Sequence, residues 1–372
     1  IPQPPPPTFP GLQPGATEFV MDPESFRQYV QRYWQDAPNR VAQAQELAQK
    51  GGTFDPTSMD VITEYQLYSS RGMEKSKQFI TWFMGTQDDS FIKRLAKAGY
   101  DWQTFSGYLK ALHQPERDAS IQAMYPEGTT RGSQIDPAWA QQIRDQYDGT
   151  SIEQFEREFH EKVIVAGLNA KVEAGLIKPE RRDALLAMYQ HYVPLKGWED
   201  EELTFTGTGR GAGKGMGWSG TGLRRQKGRT SEATHDPLVQ ALVDYNFGIV
   251  MAEKNAVKVP LLEMVLAHPN AKFRDKDGKE RLLWEAHKRQ FLPQYDQDGE
   301  LKFMLPKDNM NEGTTNAWKA GDMWEITLHD QAMREGFIGF GEERSIRYLQ
   351  QVATLYNSWM RATNLKYNPD FI

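Results

Sequence analysis

Thr150-Ser-Ile-Glu-Gln-Phe-Glu-Arg-Glu-Phe-His-Glu-Lys-Val-Ile-Val-Ala-Gly-Leu-Asn-Ala-Lys-Val-Glu-Ala-Gly175 is the stretch from which the fold class is read. Ile152, Phe155, Phe159, Val163, Ala166 and Ala170 step by threes and fours, the period of a helix with one apolar face. Ser151 and Gln154 have the spacing of a capping box, which predicts the start. A second helical pattern opens near Pro179 and runs through Leu185, Leu186, Met188 and Tyr189, and the short Gly175–Pro179 connection predicts an antiparallel helical hairpin.

Toward the C-terminus the chain reads Tyr192-Val-Pro-Leu-Lys-Gly197 and then changes character. From Thr204 to Ser231 it carries Arg210, Lys214, Arg224, Arg225, Lys227 and Arg229, recurrent glycine and no acidic residue. Such a composition predicts a segment that buries no core, and structureless segments of this length in compact domains usually serve interactions. In a chain of formal charge -6 it is the one locally basic place, a candidate contact for double-stranded DNA or an acidic protein surface. Leu238, Leu242, Tyr245, Ile249, Ala252, Ala256 and Val259 then keep a helical stripe up to Pro260, suited to a long bundle helix or an oligomer contact.

From about 270 to 330 the period shortens. Asp275, Asp277 and Gly278 sit in the middle of Phe273–Leu283, and Asp296, Asp298 and Gly299 in the middle of Tyr295–Leu305, so both read as turns between short strands. Trp324, Ile326 and Leu328 alternate as a further strand, and Ile346 to Met360 returns to a helical pattern.

Toward the N-terminus, Asp-Pro at Asp22, Asp55, Asp136 and Asp236 predicts helix starts, because aspartate caps an orphan N–H and proline at the first position loses no needed donor. Phe26, Tyr29, Val30, Tyr33 and Trp34 mark a first helix ending near Gly51-Gly52; Val61, Ile62, Tyr65 and Tyr68 mark a second, from Pro56. Short helices through Phe79, Trp82 and Phe83, then Phe91 to Leu95, then Trp102 to Leu112 complete a set of aromatic core stripes. Pro4 to Pro7 belong to a proline-rich spacer, and neither chain end reads as a native terminus. The expected fold is mainly α, with bundle-like helical units and a small antiparallel β insertion at about 270–330. The expected organisation is linker 1–20, helical unit 21–112, hairpin unit 113–203, basic loop 204–235 and C-terminal unit 236–372.

Catalytic motifs fail at named positions. Gly209 to Gly215 lacks the phosphate-loop pattern, since Thr208 stands at the first glycine and Gly215 at the hydroxyl position. His160-Glu161 lacks a second histidine, Ile164 standing there, and His160 reads as an exposed helix residue. The Asp-rich turns lack the remaining calcium ligands, and the histidines show no metal-ligand spacing. The absence of cysteine removes disulfides, thiolate catalysis and cysteine-type zinc sites. No apolar run reaches the ~18 residues of a membrane helix. His113, Glu116 and Arg117 form the nearest acid–base grouping and read as a salt-bridged helix end. No catalytic residue, metal, cofactor or small-molecule substrate is therefore expected.

Tyr108-Leu-Lys-Ala-Leu-His113-Gln-Pro-Glu116-Arg117-Asp118-Ala-Ser-Ile121 resembles the Y-L-x-A-x-H-x-x-E-R-N-x-x-I segment of large phage-encoded polyvalent proteins, with Asp118 where that family has Asn. Tyr192-Val-Pro194-Leu195-Lys196-Gly197 is similar to its Y-V-P-L-R-G. The blocks after Asp236-Pro237, with Asn255-Ala256-Val257, and the closing Asn368-Pro369-Asp370-Phe371-Ile372 follow in the family's order, over about 107–372. The resemblance implies a non-catalytic module of a giant internal virion protein, packaged in the phage head and delivered to the host envelope or cytoplasm with the genome. The implied partners are other ejection or virion proteins and further copies of the chain, with DNA and the host envelope as additional contacts. It leaves two alternatives open, an injected antirestriction or host-interaction module and, below it, a hydrolytic domain.

Overall fold

Several helices begin where an aspartate takes an orphan N–H. Asp60 accepts from the Thr63 amide at 2.9 Å, Asp136 from Ala138 at 2.9 Å, Asp236 from Leu238 at 2.9 Å and Asp330 from Met333 at 2.9 Å. Each bond satisfies a donor that the first helical turn leaves open. The structure, a computed structural model, describes residues 18–25, 28, 39–50, 60–85, 88–124, 132–195, 216–217, 221, 236–289, 292–295, 301–304 and 313–339. In chain order the elements begin with β1 (Val20–Met21), α1 (Asn39–Lys50), α2 (Val61–Met84), α3 (Phe91–Lys97), α4 (Trp102–Met124) and α5 (Pro137–Tyr147). Next come α6 (Ile152–Phe159), a π-helical segment (His160–Val165), α7 (Ala166–Glu173), α8 (Pro179–Met188) and α9 (Pro237–Ala267). Strands follow as β2 (Lys272–Arg274), β3 (Glu280–Leu282), β4 (Trp284–Lys288), β5 (Leu292–Tyr295), β6 (Leu301–Met304), β7 (Thr314–Lys319) and β8 (Asp322–Leu328). The short α10 (Gln331–Arg334) and a second π segment (Glu335–Gly339) close the described chain. The fold is mainly α with a small, largely antiparallel β region, as the periodicities predict.

The described residues fall into two units, and α2 and α9 each contribute to both. The first holds the residues up to Ser69, Met216–Gly217 and everything from Lys254 onward; the second holds Ser70 to Leu195, Thr221 and Asp236–Glu253. The expected boundary between 112 and 113 falls inside α4.

The second unit is packed with aromatic rings. Phe83, Phe91, Phe105 and Phe159 are at most 1% exposed, so each ring is fully withdrawn from water. Phe83 stacks on Phe91 at 5.4 Å, Phe91 meets Phe105 at 5.5 Å, and Tyr245 of α9 stacks on Phe79 at 4.1 Å. Rings of this size bury enough area that truncating one to alanine costs about 3–5 kcal/mol. The aromatic stripes read from the sequence in 79–112 are core residues here.

In the first unit, Val257, Leu261, Leu262 and Val265 of α9 share a core with Trp284, Ile326 and Leu328 and with Val41, Ala44 and Ala48 of α1. The sheet order β4-β8-β7 is antiparallel, with Trp284 opposite Leu328 and Ala317 opposite Trp324. Its β7–β8 turn places Ala320 at φ 50° and Gly321 at φ 74°, the left-handed pair that a two-residue hairpin turn needs. The predicted Asp275–Gly278 turn joins β2 to β3, with Gly278 at φ 75°; β5 and β6 pair on either side of the second predicted turn. β1 adds to β2 in parallel, so that sheet is mixed.

Several expectations are corrected. The stripes at Val61–Tyr68 and Phe79–Phe83 belong to one helix, α2, capped by Asp60; the start expected at Pro56 and the first-helix stripe at Phe26–Trp34 lie outside the described residues. Ser151 makes no side-chain cap bond, because its backbone is already helical; the Glu153 carboxylate instead accepts from Gly149 N at 2.7 Å. α9 does not stop at Pro260. A helix-interior proline costs about 3 kcal/mol. Burying Leu261, Leu262 and Met264 beyond it returns roughly 1.5–3 kcal/mol each.

Candidate functional site

The residues of the His113 motif come together on α4. Its buried positions Leu109, His113, Arg117 and Ile121 recur every fourth residue, so polar side chains lie on the inward face of an otherwise apolar stripe. Pro115 lies inside the same helix and cannot donate to the Ala111 carbonyl four residues back. Arg144 of α5 supplies the missing donor, its Nη1 lying 2.5 Å from Ala111 O. The helix therefore passes a proline without leaving a buried acceptor unmet.

One turn on, the Glu116 carboxylate reaches the segment that follows α8. It accepts from the Gln190 amide at 2.9 Å, from the His191 amide at 3.1 Å and from His113 Nδ1 at 3.3 Å. Burial alone would raise this carboxyl. The hydrogen bonds from His113 and the His191 amide, together with the charges of both histidines, outweigh it and hold the group below the usual carboxylate range. Burial holds His113 below the usual imidazole range, with the Glu116 bond opposing. The ring of His113 is fully buried, edge-on to Tyr189 at 5.7 Å and to Tyr192 at 5.3 Å. Ser120 and the Tyr189 hydroxyl are 2.5 Å apart, and burial keeps the Tyr192 phenol above its usual range.

A second histidine–glutamate pair stands beside the first. His191 Nδ1 lies 3.0 Å from Glu156 of α6, and that bond holds the imidazole above its usual range although burial opposes it. His160, at the start of the π segment, is pushed below its range by burial, and its Nε2 is a buried atom with no partner among the described residues; it is not the exposed histidine expected from sequence. Asp118, the residue after Arg117 on α4, holds a different segment. It accepts from Gln114 at 2.6 Å, from the Ser133 hydroxyl at 3.1 Å and from the Ser133 amide, and a Cβ on Gly132 would stand 2.4 Å from its Oδ1. A residue that only accepts suits three donors, which accounts for aspartate at this position.

Of the motif residues, His113, Glu116, Arg117, Tyr192, Pro194 and Leu195 are brought together or packed nearby, and Val193 and Leu195 are buried in the aromatic core. They hold one chain segment against another. A groove between the Glu74–Trp82 face of α2 and Asp89–Ser90, about 470 Å3, shares no residue with them. Among the described residues no three His, Cys, Asp or Glu side chains are placed to hold a metal ion. Arg210, Lys214, Arg224, Arg225, Lys227 and Arg229 lie outside the described residues, as do Asn368, Pro369 and Phe371.

The basic segment nevertheless has an anchor inside it. Met216 is fully buried in the first unit's core, which corrects the expectation that the stretch buries nothing. Its carbonyl accepts from the Thr315 hydroxyl and that of Gly217 from Lys258 Nζ. Burial, reinforced by Lys254 one turn away, holds the Lys258 amine well below its usual range, and burial pushes Lys254 down to about 8. Asn255, between them, bonds both the carbonyl and the amide of Trp318, at 2.7 and 2.8 Å, and so covers part of the β7 edge as a neighbouring strand would. Sequence reading missed Glu156, Asn255, Met216 and Lys258 as contact residues. A lone methionine among glycines and lysines on an apolar helix were the signals present. No family model, curated protein or solved structure matches the chain.

Proposed function

We propose that this chain is a non-catalytic structural module of a large phage internal virion protein, packaged in the head and ejected with the genome. Its helical surfaces contact other ejection proteins or further copies of itself, and its basic segment contacts DNA or an acidic protein surface. The observation that carries the reading is the use of the motif residues: Glu116 binds the Gln190 and His191 amides and His113 packs on the rings of Tyr189 and Tyr192, so that they fasten this segment to α4, a structural task. The order of sequence blocks supports the family reading, and within the basic segment the Met216 and Gly217 carbonyls are held by Thr315 and Lys258.

Purified particles probed with antibody against this chain test the proposal. A band much larger than 42.6 kDa that leaves the particle with the DNA is the expected result; absence from particles overturns it. Gel shifts with duplex DNA at low and moderate salt test the basic segment. Phosphate contacts weaken steeply with salt. Replacing Arg224, Arg225, Lys227 and Arg229 by alanine is expected to abolish the shift, and equal binding by both forms removes the segment from the account.

A further inference from the structure

We propose that the histidine–glutamate cluster is a pH-sensitive latch, which releases the Gln190–Leu195 segment from α4 when the medium passes from neutral to mildly acidic. The geometry confines added protons to places that cannot accommodate them. His113 is fully buried, its Nδ1 faces Glu116, and its Nε2 has no partner among the described residues; the Nε2 of His160 is buried in the same condition. A second proton on either ring creates a cation whose buried Nε2 has nothing to donate to among the described residues. The neighbours increase the difficulty. His113 faces Arg117 from its own helix and His191, Tyr189 and Tyr192 from the segment after α8, while His160 faces His191 as well. The compensating charges are Glu116 and Glu156, and both are engaged. Glu116 binds the Gln190 and His191 amides, and Glu156 binds the His191 ring. Protonating Glu116 itself removes the acceptor that holds the segment.

The signs agree for the acid arm. His113 and His160 are held below the ordinary imidazole range, so the released state binds protons more readily than the latched one. Their contribution is complete above about 6.5 and is lost as pH falls through and below that value. Glu116, also held below its range, extends the loss to lower pH. His191 acts in the opposite sense: its bond to Glu156 is strongest when it is protonated, and that contribution fades as pH rises through its raised range. The latch is therefore tightest around neutrality. The π segment beginning at His160 already departs from the regular helical ladder, which places the weak point beside the group that responds.

Hydrogen exchange at the Gln190 and His191 amides of the intact chain, corrected for intrinsic rate, reads the latch directly. Between pH 7.5 and 5.5 the protection of these two amides is expected to fall about tenfold per pH unit for each proton taken up, while α3 of the same unit keeps its protection. Unchanged protection at both amides, or an equal loss in α3, overturns the proposal. The double variant His113→Gln/His160→Gln, which cannot take up these protons, is expected to keep its protection at pH 5.5. Should that variant fail to fold, histidine NMR titration of the unaltered chain decides. Titration of His113 and His160 together with loss of Gln190 and His191 protection supports the latch, and titration without such loss overturns it.

Discussion

Two segments of this chain are fastened by side chains to backbone, with opposite polarity. After α8 the Gln190 and His191 amides have left the helix and need an acceptor, and Glu116 provides it. At Met216–Gly217 it is the carbonyls that point into the unit, and Thr315 and Lys258 donate to them. A buried backbone group must be paired, so whether the anchoring side chain accepts or donates reveals which half of the peptide was left unmatched. The first anchor lies among titratable groups and responds to acid. The second is built around an apolar plug, Met216, with the buried Lys258 amine donating beside it.

Glu116→Ala should break the first anchor most severely, destabilising the chain by about 3 kcal/mol in urea unfolding, because two amides and His113 lose a charged acceptor at once. Met216→Ala should cost slightly less, about 2–3 kcal/mol, from the lost transfer energy and the cavity left in the first unit's core. If the Met216 variant were neutral, the basic segment would have no apolar anchor and the contrast would fail. Arg144→Ala should cost about 1.5 kcal/mol by exposing the Ala111 carbonyl as a buried unpaired acceptor, and the cost should shrink when Pro115→Ala restores the helical donor. A double-mutant cycle showing no coupling between Arg144 and Pro115 would refute that account. Thr315→Val should cost about 1 kcal/mol, the worth of a single neutral hydrogen bond. The smallest effect belongs to Ser151→Ala, below about 0.5 kcal/mol, against ~1 kcal/mol for a functioning cap.

Much of the helical scaffold was legible. The aromatic stripes through Phe79, Phe91 and Phe105 and the caps at Asp136 and Asp236 follow from period and local chemistry, and they stand where expected. The turn at Asp275–Gly278 is local in the same sense. The motif at His113–Arg117 was visible as a grouping, but its reading as a salt-bridged helix end is corrected: it lies in the interior of α4, where burial holds His113 below the imidazole range and the pair with Glu116 is a hydrogen bond. Its partners were not visible. Glu156 and His191 lie 35 residues apart, and nothing in either neighbourhood signals the other.

By itself the sequence determined the helical character of this protein, the helix starts at Asp136 and Asp236 and the short-period region between about 270 and 330. These depend on contacts within a few residues, and apolar spacing records them. Tertiary structure alone decided that Pro115 and Pro260 remain inside helices, that Met216 serves as a plug and that three histidines share one electrostatic neighbourhood. Each of those outcomes requires a donor, an apolar wall or a charge delivered from a distant part of the chain, such as Arg144 for Ala111 or Thr315 for Met216. Local propensity sets what a segment can form, and the burial of unmatched backbone groups sets which distant side chains must come to meet it.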